Sequence, residues 1–373
     1  MDEANDNRSP RPPHALLAGG GTGGHVFPAL AVGEELARRG WRVSFTGMAD
    51  GLEARLAGER GLPFYPLPAR PLLGKSARAK AAAVATAGRS AWSAARLIRR
   101  LEADVVLGTG GYVSVPAVLG AWLARRPTLI LEPNARAGVA NRWLSRWATA
   151  AAVAFQETRR DLKCPAAVTG VPVRAAFFAV GDPTALAPSA PPRLLVLGGS
   201  QGARQVNLLL PEAAALARRQ LPGLAILHQA GPRHVEETSA AYQAAGFSTA
   251  EVEVVPFLDD VAGAMARSHL LVSRAGAITV AEICAAGRGS LLLPLAIAQA
   301  HQVDNARLLA AAGAAEMLAG DAATADAVAA SLVGLLGDGA RLARTGRAAR
   351  GLARPDAVAA IADRLAELAE ARR

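Results

Sequence analysis

The chain has 373 residues and two cysteines, Cys164 and Cys284. They stand far apart and lack metal-ligand spacing, which excludes a disulfide framework and a zinc cluster and fits a reducing compartment. Aromatic residues make up only 4%, too few for the stacking platform of a single-stranded nucleic-acid binder, so no nucleic-acid partner is expected. No apolar run reaches the roughly 18 to 20 residues that span a bilayer. The opening Met1-Asp2-Glu3-Ala4-Asn5-Asp6-Asn7 is acidic with no apolar stretch behind it, which does not read as a secretory signal. A cytosolic protein that meets any membrane from its surface is expected. No Asp-x-Asp triplet occurs. That is the carboxylate pair with which a metal would clamp a nucleotide diphosphate, so neither a metal site nor a cofactor is expected.

What is present is an α/β alternation built twice. Half the residues are hydrophobic (51%), and the length suits two domains of ordinary size. Each half opens with an apolar run, a glycine-rich turn and a helical pattern. The first turn is Gly19-Gly20-Gly21-Thr22-Gly23-Gly24-His25 after Leu16–Ala18. The second is Gly198-Gly199-Ser200-Gln201-Gly202-Ala203-Arg204 after Leu194–Leu197. Bare amides and a helix dipole pointing the same way bind anions. Two such turns, one per domain, predict two doubly wound, Rossmann-like domains facing a cleft. The boundaries read as a loose tail over 1–13, a first domain over 14–174, a linker over 175–192 marked by Pro183, Pro188, Pro191 and Pro192, a second domain over 193–355, and a helix over 356–373 that packs back on the first domain. The helix after the first turn is expected over Pro28 to Arg39, opened by its proline. Arg341, Arg344, Arg347 and Arg350 form a stripe that reads as a solvated helix face.

Several constellations bear on chemistry. Gly19, Gly21 and Gly24 match the dinucleotide fingerprint, but the second strand ends Ser44-Phe45-Thr46-Gly47 without the acid that holds a ribose, which argues against NAD. His25 closes the first turn. It is either structural or a neutral imidazole able to take a proton from a hydroxyl. Gly108-Thr109-Gly110-Gly111-Tyr112-Val113-Ser114 is a third turn, either a tight connection or a further wall of the site with the hydroxyls of Tyr112 and Ser114. In Ser273-Arg274-Ala275-Gly276-Ala277-Ile278-Thr279-Val280-Ala281-Glu282, the helix start suits a phosphate. Glu282 suits either ribose hydroxyls or the helix dipole. Gln302 and Asn305 suit sugar hydroxyls or a helix cap. The net charge is +10, and Arg70 to Arg100 holds eight basic residues (Arg70, Lys75, Arg78, Lys80, Arg89, Arg96, Arg99, Arg100) and no acid. Leu72, Leu73, Val84, Trp92, Leu97 and Ile98 are interleaved. The stretch reads as an amphipathic basic surface for anionic lipid, where each basic residue contributes about 1 kcal/mol, or as an ordinary basic helix packed on its domain.

Taken in order, these turns, with Pro172-Val173-Arg174, resemble the MurG family of N-acetylglucosaminyltransferases of peptidoglycan synthesis from Leu16 to about Ala359. The resemblance implies a GT-B fold and an inverting, metal-independent transfer of N-acetylglucosamine from UDP-N-acetylglucosamine to the 4-hydroxyl of the muramyl sugar of lipid I, giving lipid II at the cytoplasmic membrane face. It implies donor contacts at Thr22, Gly23, Gly24, Asn134, Arg174, Ser200, Leu258, Ala277, Ile278, Thr279, Val280, Ala281, Glu282 and Gln302. Glu282 would hold the ribose, the Leu258 backbone would meet uracil, and His25 would be the base. The chain departs from the family pattern at Leu131 and Pro133 of Leu131-Glu132-Pro133-Asn134, at Val171 and at Ala300. Two alternatives stay open: a UDP-N-acetylglucosamine 2-epimerase, which needs neither lipid nor a basic apolar surface, and a non-catalytic nucleotide-sugar sensor.

Overall fold

The computed structural model describes residues 11–69, 77–181, 191–199, 201–294 and 300–372. The chain divides into two compact units. The first runs to Pro133 and takes in Ala137–Pro172 and the chain from Asp356; the second holds Asn134–Arg136 and Val173–Pro355.

In the first unit β1 (His14–Ala18), β2 (Arg42–Gly47), β3 (Phe64–Pro66), β4 (Val105–Gly108), β5 (Thr128–Glu132), β6 (Ala150–Val153) and β7 (Ala166–Val168) form one sheet in the order β3-β2-β1-β4-β5-β6-β7. All its pairings are parallel. The strands are apolar along their length because helices cover both faces. They are α1 (Gly23–Arg38), α2 (Leu52–Glu59), α3 (Ala77–Leu101), α4 (Ser114–Leu123) and α5 (Val139–Leu144). Leu17 lies between Phe45 and Leu107 in register, and all three are fully buried.

Helix α1 begins at the glycine turn and carries Pro28 inside it, which corrects the start expected at Pro28. Thr22 adopts an extended N-cap conformation, and its carbonyl accepts from the amides of His25 and Val26. The helix therefore nucleates on the turn, and Pro28 removes one later backbone bond. Residues 11–13, expected as tail, are tied down: Arg11 donates to the Glu102 carbonyl and to Asp104, and the Arg42 amide donates to Pro13.

From Arg78 to Arg100 the basic stretch falls on α3, which crosses α4 closely; Arg70 and Lys75 lie outside the described residues. A Cβ on Gly120 would lie 2.5 Å from that of Ala94. Leu97 and Ile98 turn inward, whereas Trp92, Trp122 and Leu123 are exposed. Leu72 and Leu73 lie outside the described residues.

The second unit repeats the plan. Along the chain come α6 (Ala175–Phe178), β8 (Arg193–Leu197), α7 (Arg204–Ala217), β9 (Ala225–Gln229), α8 (Val235–Ala244), β10 (Val252–Val255), α9 (Val261–Ala266), β11 (Leu270–Ser273), α10 (Ala277–Ala286), β12 (Gly289–Leu292), α11 (Ala300–Ala311), β13 (Glu316–Met317), α12 (Ala325–Leu336) and α13 (Gly339–Leu352). The sheet is parallel in the order β10-β9-β8-β11-β12-β13. The arginine stripe on α13 is not wholly solvated. Arg350 donates to the carbonyls of Phe178, Val180 and Ala286, so it caps the end of α10 and holds the start of the expected linker. Arg341 pairs with Glu316 at 2.6 Å.

The last helix, α14 (Ala357–Glu370), belongs to the first unit. Ile361, Ala362 and Leu365 are fully buried in the cluster of Leu17, Phe45 and Leu107. Burial of that kind contributes about 1.5–3 kcal/mol for each large aliphatic chain. The expected fold class of two Rossmann-like domains holds.

Candidate active site

Both strand orders reverse beside the first strand of their unit, between β1 and β4 and between β8 and β11. A doubly wound sheet binds ligands at that switch point, beyond the carboxyl ends of its strands. All four turns singled out in the sequence leave these strands there.

In the first unit the turns after β1 and β4 clasp each other. The Thr109 hydroxyl donates to the His25 carbonyl at 2.7 Å, and the Thr109 carbonyl lies 2.8 Å from Nδ1 of His25. A carbonyl only accepts, so Nδ1 carries the proton and Nε2 keeps its lone pair. The ring lies against Gly110 and Gly111, whose φ angles are +95° and +71°. A Cβ on either would sit 3.2 Å from ring atoms. Burial lowers the His25 pKa from its ordinary value, opposed by the Thr109 carbonyl and the Glu132 charge. The imidazole is therefore neutral at pH 7 and fit to take a proton.

Thr22 is exposed, Gly23 and Gly24 half-buried, and the Tyr112 ring stands 3.7 Å from where a Gly21 Cβ would be. The fully buried Ser114 hydroxyl donates to the Gly111 carbonyl and supports the turn.

Four groups of this unit escaped the sequence reading. Thr109 is one. Glu132, at the end of β5, accepts from the Gly138 amide and from Asn141 Nδ2, both at 2.9 Å. Asn141 keeps its buried Oδ1 unpartnered among the described residues. Glu53 is fully buried against the first turn. A carboxylate at the end of a parallel strand is a signal that could have found Glu132. Nothing in the pattern around Glu53 marked it.

In the second unit the Gly198 amide donates to Gln229, and the Gly202 amide to Gly199. At Gly202 φ is +77°, and a Cβ would fall 2.0 Å from the Ala230 carbonyl oxygen. A buried chain supports that carbonyl. Tyr242 and Asn207 bond the two nitrogens of His228, and Asn207 Nδ2 donates to Ala230. Arg274 donates to the Gly198 carbonyl at 3.1 Å and reaches within 3.3 Å of a Gly199 Cβ position. Ser200 lies outside the described residues.

Helix α10 starts at Ala277 behind Gly276, an N-cap that offers no side chain. The amides of Ala277, Ile278 and Thr279 thus have no intrahelical acceptor, whereas the Val280 amide bonds Gly276 and its side chain is buried. Burial pushes the Glu282 carboxyl up to about 7, with nearby Arg174 pulling back. Glu282 can then either donate to or accept from a hydroxyl near neutrality. Asn305 accepts from the Ala135 amide and donates to Asn134 Oδ1 and to the Ala275 carbonyl, which holds Asn134 beside the start of α10. Leu258 is half-buried between β10 and α9, and Gln302 is buried on α11. Among the described residues, no three His, Cys, Asp or Glu side chains group to hold a metal.

Amide-lined turns at two switch points describe a nucleotide-binding α/β protein. The Glycosyltransferase family 28 N-terminal domain matches residues 15–153, and the family's C-terminal domain matches residues 193–361. The chain belongs to glycosyltransferase family 28. It is 43% identical over 357 residues to the UDP-N-acetylglucosamine–N-acetylmuramyl-(pentapeptide) pyrophosphoryl-undecaprenol N-acetylglucosamine transferase of Halorhodospira halophila, covering 95% of this chain and 97% of that one. It is 42% identical over 369 residues to the protein of the same name from Sorangium cellulosum, covering 96% and 89%. The crystal structure of Acinetobacter baumannii MurG superposes with a TM-score of 0.81 at 34% identity, covering 95% of this chain and all (100%) of that one. The resemblance read from the motifs holds, and the chain is a glycosyltransferase.

Proposed function

We propose that the chain transfers N-acetylglucosamine from UDP-N-acetylglucosamine to the 4-hydroxyl of the muramyl sugar of lipid I, giving lipid II. The observation that carries this is the site of the second unit. The amides of Gly199 and Ala277–Thr279, which bond no partner among the described residues, suit a diphosphate beside the Arg274 guanidinium. Near-full-length identity to transferases of that name supports the same reading.

Nε2 of His25 takes the proton of the acceptor 4-hydroxyl as its oxygen attacks the anomeric carbon. The bond from that carbon to the diphosphate oxygen breaks, UDP leaves with the electron pair, and the centre inverts. Positive charge and helix amides stabilise the departing diphosphate in the role a metal plays elsewhere. Glu282 holds the ribose, Asn134, Arg174, Ser200 and Gln302 line the donor, and the Leu258 backbone meets uracil. The first unit serves the acceptor, with Tyr112 over Gly21. The assay is purified protein with labelled UDP-N-acetylglucosamine and a lipid I analogue in EDTA. Disaccharide-lipid product is expected. Free N-acetylmannosamine instead would mean an epimerase.

The acceptor is membrane-bound, and we assign the docking surface to α3 and α4. Trp92 and Trp122 are more than half exposed, and Arg96 lies 4.0 Å over the Trp92 ring. No described helix is long and apolar enough to cross a membrane. A peripheral position at the cytoplasmic face follows from this reading.

A further inference from the structure

Glu53 stands in the second position of α2 and is 0% exposed. Its Oε1 accepts from the Met48 amide at 2.9 Å, and its Oε2 lies 3.4 Å from the Gly21 amide. Three glycines face it, Gly20 from the first turn and Gly47 and Gly51 from the connection between β2 and α2. A Cβ on Gly20, Gly47 or Gly51 would fall 2.3, 2.4 and 2.4 Å from Glu53 atoms. A built cradle therefore surrounds one carboxylate, and the missing side chain of Gly20 makes room for it. An anion fixed in the wall of that turn disfavours a second anion there.

The turn is also coupled to the base. A Gly111 Cβ would meet the His25 ring at 3.2 Å and the Gly20 carbonyl oxygen at 3.3 Å. A shift of Gly20 therefore moves the wall on which the imidazole rests.

We propose that Glu53 is a positioning residue of the transferase reaction: it orders the first glycine turn from within and fixes the seat of His25. This rests on the reading of His25 as the base, so the test separates the two. The Glu53→Gln variant keeps the shape and an amide-accepting oxygen but loses the charge. Gly20→Ala displaces the carboxylate without altering it. Each is assayed in the full chain, alone and combined with His25→Ala, for kcat, for KM of UDP-N-acetylglucosamine, for UDP affinity and for thermal unfolding.

Glu53→Gln should fold and lower kcat at least ten-fold, with KM and UDP affinity changed less than two-fold. In the His25→Ala background it should add less than two-fold, because a residue acting through the base has nothing left to position. Gly20→Ala, where it folds, should show the same pattern. The inference is overturned by a kcat for Glu53→Gln within two-fold of wild type, by a loss of UDP affinity matching the loss of kcat, by a ten-fold loss that persists without His25, or by failure of Glu53→Gln to fold. Normal turnover by His25→Ala alone would instead sink the base assignment.

Discussion

The two glycine turns follow equivalent strands, β1 and β8, and hold opposite charges. The first encloses a buried carboxylate, Glu53, and the second is flanked by a guanidinium, Arg274. In the first, Gly19 and Gly20 admit the side chains of Thr109 and Glu53. In the second, Gly198 and Gly202 admit backbone carbonyls from the end of β9 and just beyond, which leaves the cation beside Gly199. A glycine motif thus marks close approach without saying what approaches. The charge next to the turn decides whether it suits phosphate.

Breaking the second turn should have the largest effect. Gly202→Ala meets a carbonyl that cannot give way and a φ of +77°. It should unfold the turn and abolish UDP binding, seen by calorimetry and as a large fall in melting temperature. Gly21→Ala, at φ +82° but with nothing nearer than Tyr112 at 3.7 Å, carries only backbone strain of about 1–3 kcal/mol. Next comes Arg274→Gln, which removes a charge-assisted contact worth roughly 1.5–3 kcal/mol. UDP should bind about ten- to a hundred-fold more weakly, read by titration, with acceptor KM unchanged.

The pH dependence sharpens the contrast further. His25 must be neutral, so kcat should fall as pH drops through its lowered pKa, below 6.5. Within the second unit two buried groups give opposing stability slopes. Burial pushes His228 down to about 3. As pH falls from about 6.5 towards 3 the unfolded chain takes up a proton that the folded unit refuses, so stability drops. Glu282 is raised to about 7. Between about 4.5 and 7 the unfolded chain has already released that proton, so stability drops as pH rises. Denaturant titrations of His228→Gln and Glu282→Gln should remove one slope each. The smallest effect is expected from Trp92→Ser, which should weaken binding to anionic vesicles a few-fold and leave turnover of a soluble acceptor analogue unchanged.

Much of this was legible in the chain. Apolar runs such as Leu16–Ala18 and Leu194–Leu197 marked strands of the parallel sheets, and each glycine turn fell at a strand end because a parallel strand must leave the sheet through a tight turn. Less legible was the start of α1, where Pro28 suggested a helix N-terminus but Thr22 supplies the cap. The burial of Ser114 and the clasp made by Arg350 depend on which neighbour a side chain meets after folding. Glu53 was invisible for the same reason: Gly20 and Gly21 of its cradle come from the turn after β1, distant in sequence from the β2–α2 connection that carries Glu53.

A crystal structure with UDP tests the central claim most directly. The account predicts both phosphates against the amides of Gly199 and Ala277–Thr279, within hydrogen-bond reach of Arg274. Phosphates bound away from those amides and from Arg274 would contradict it.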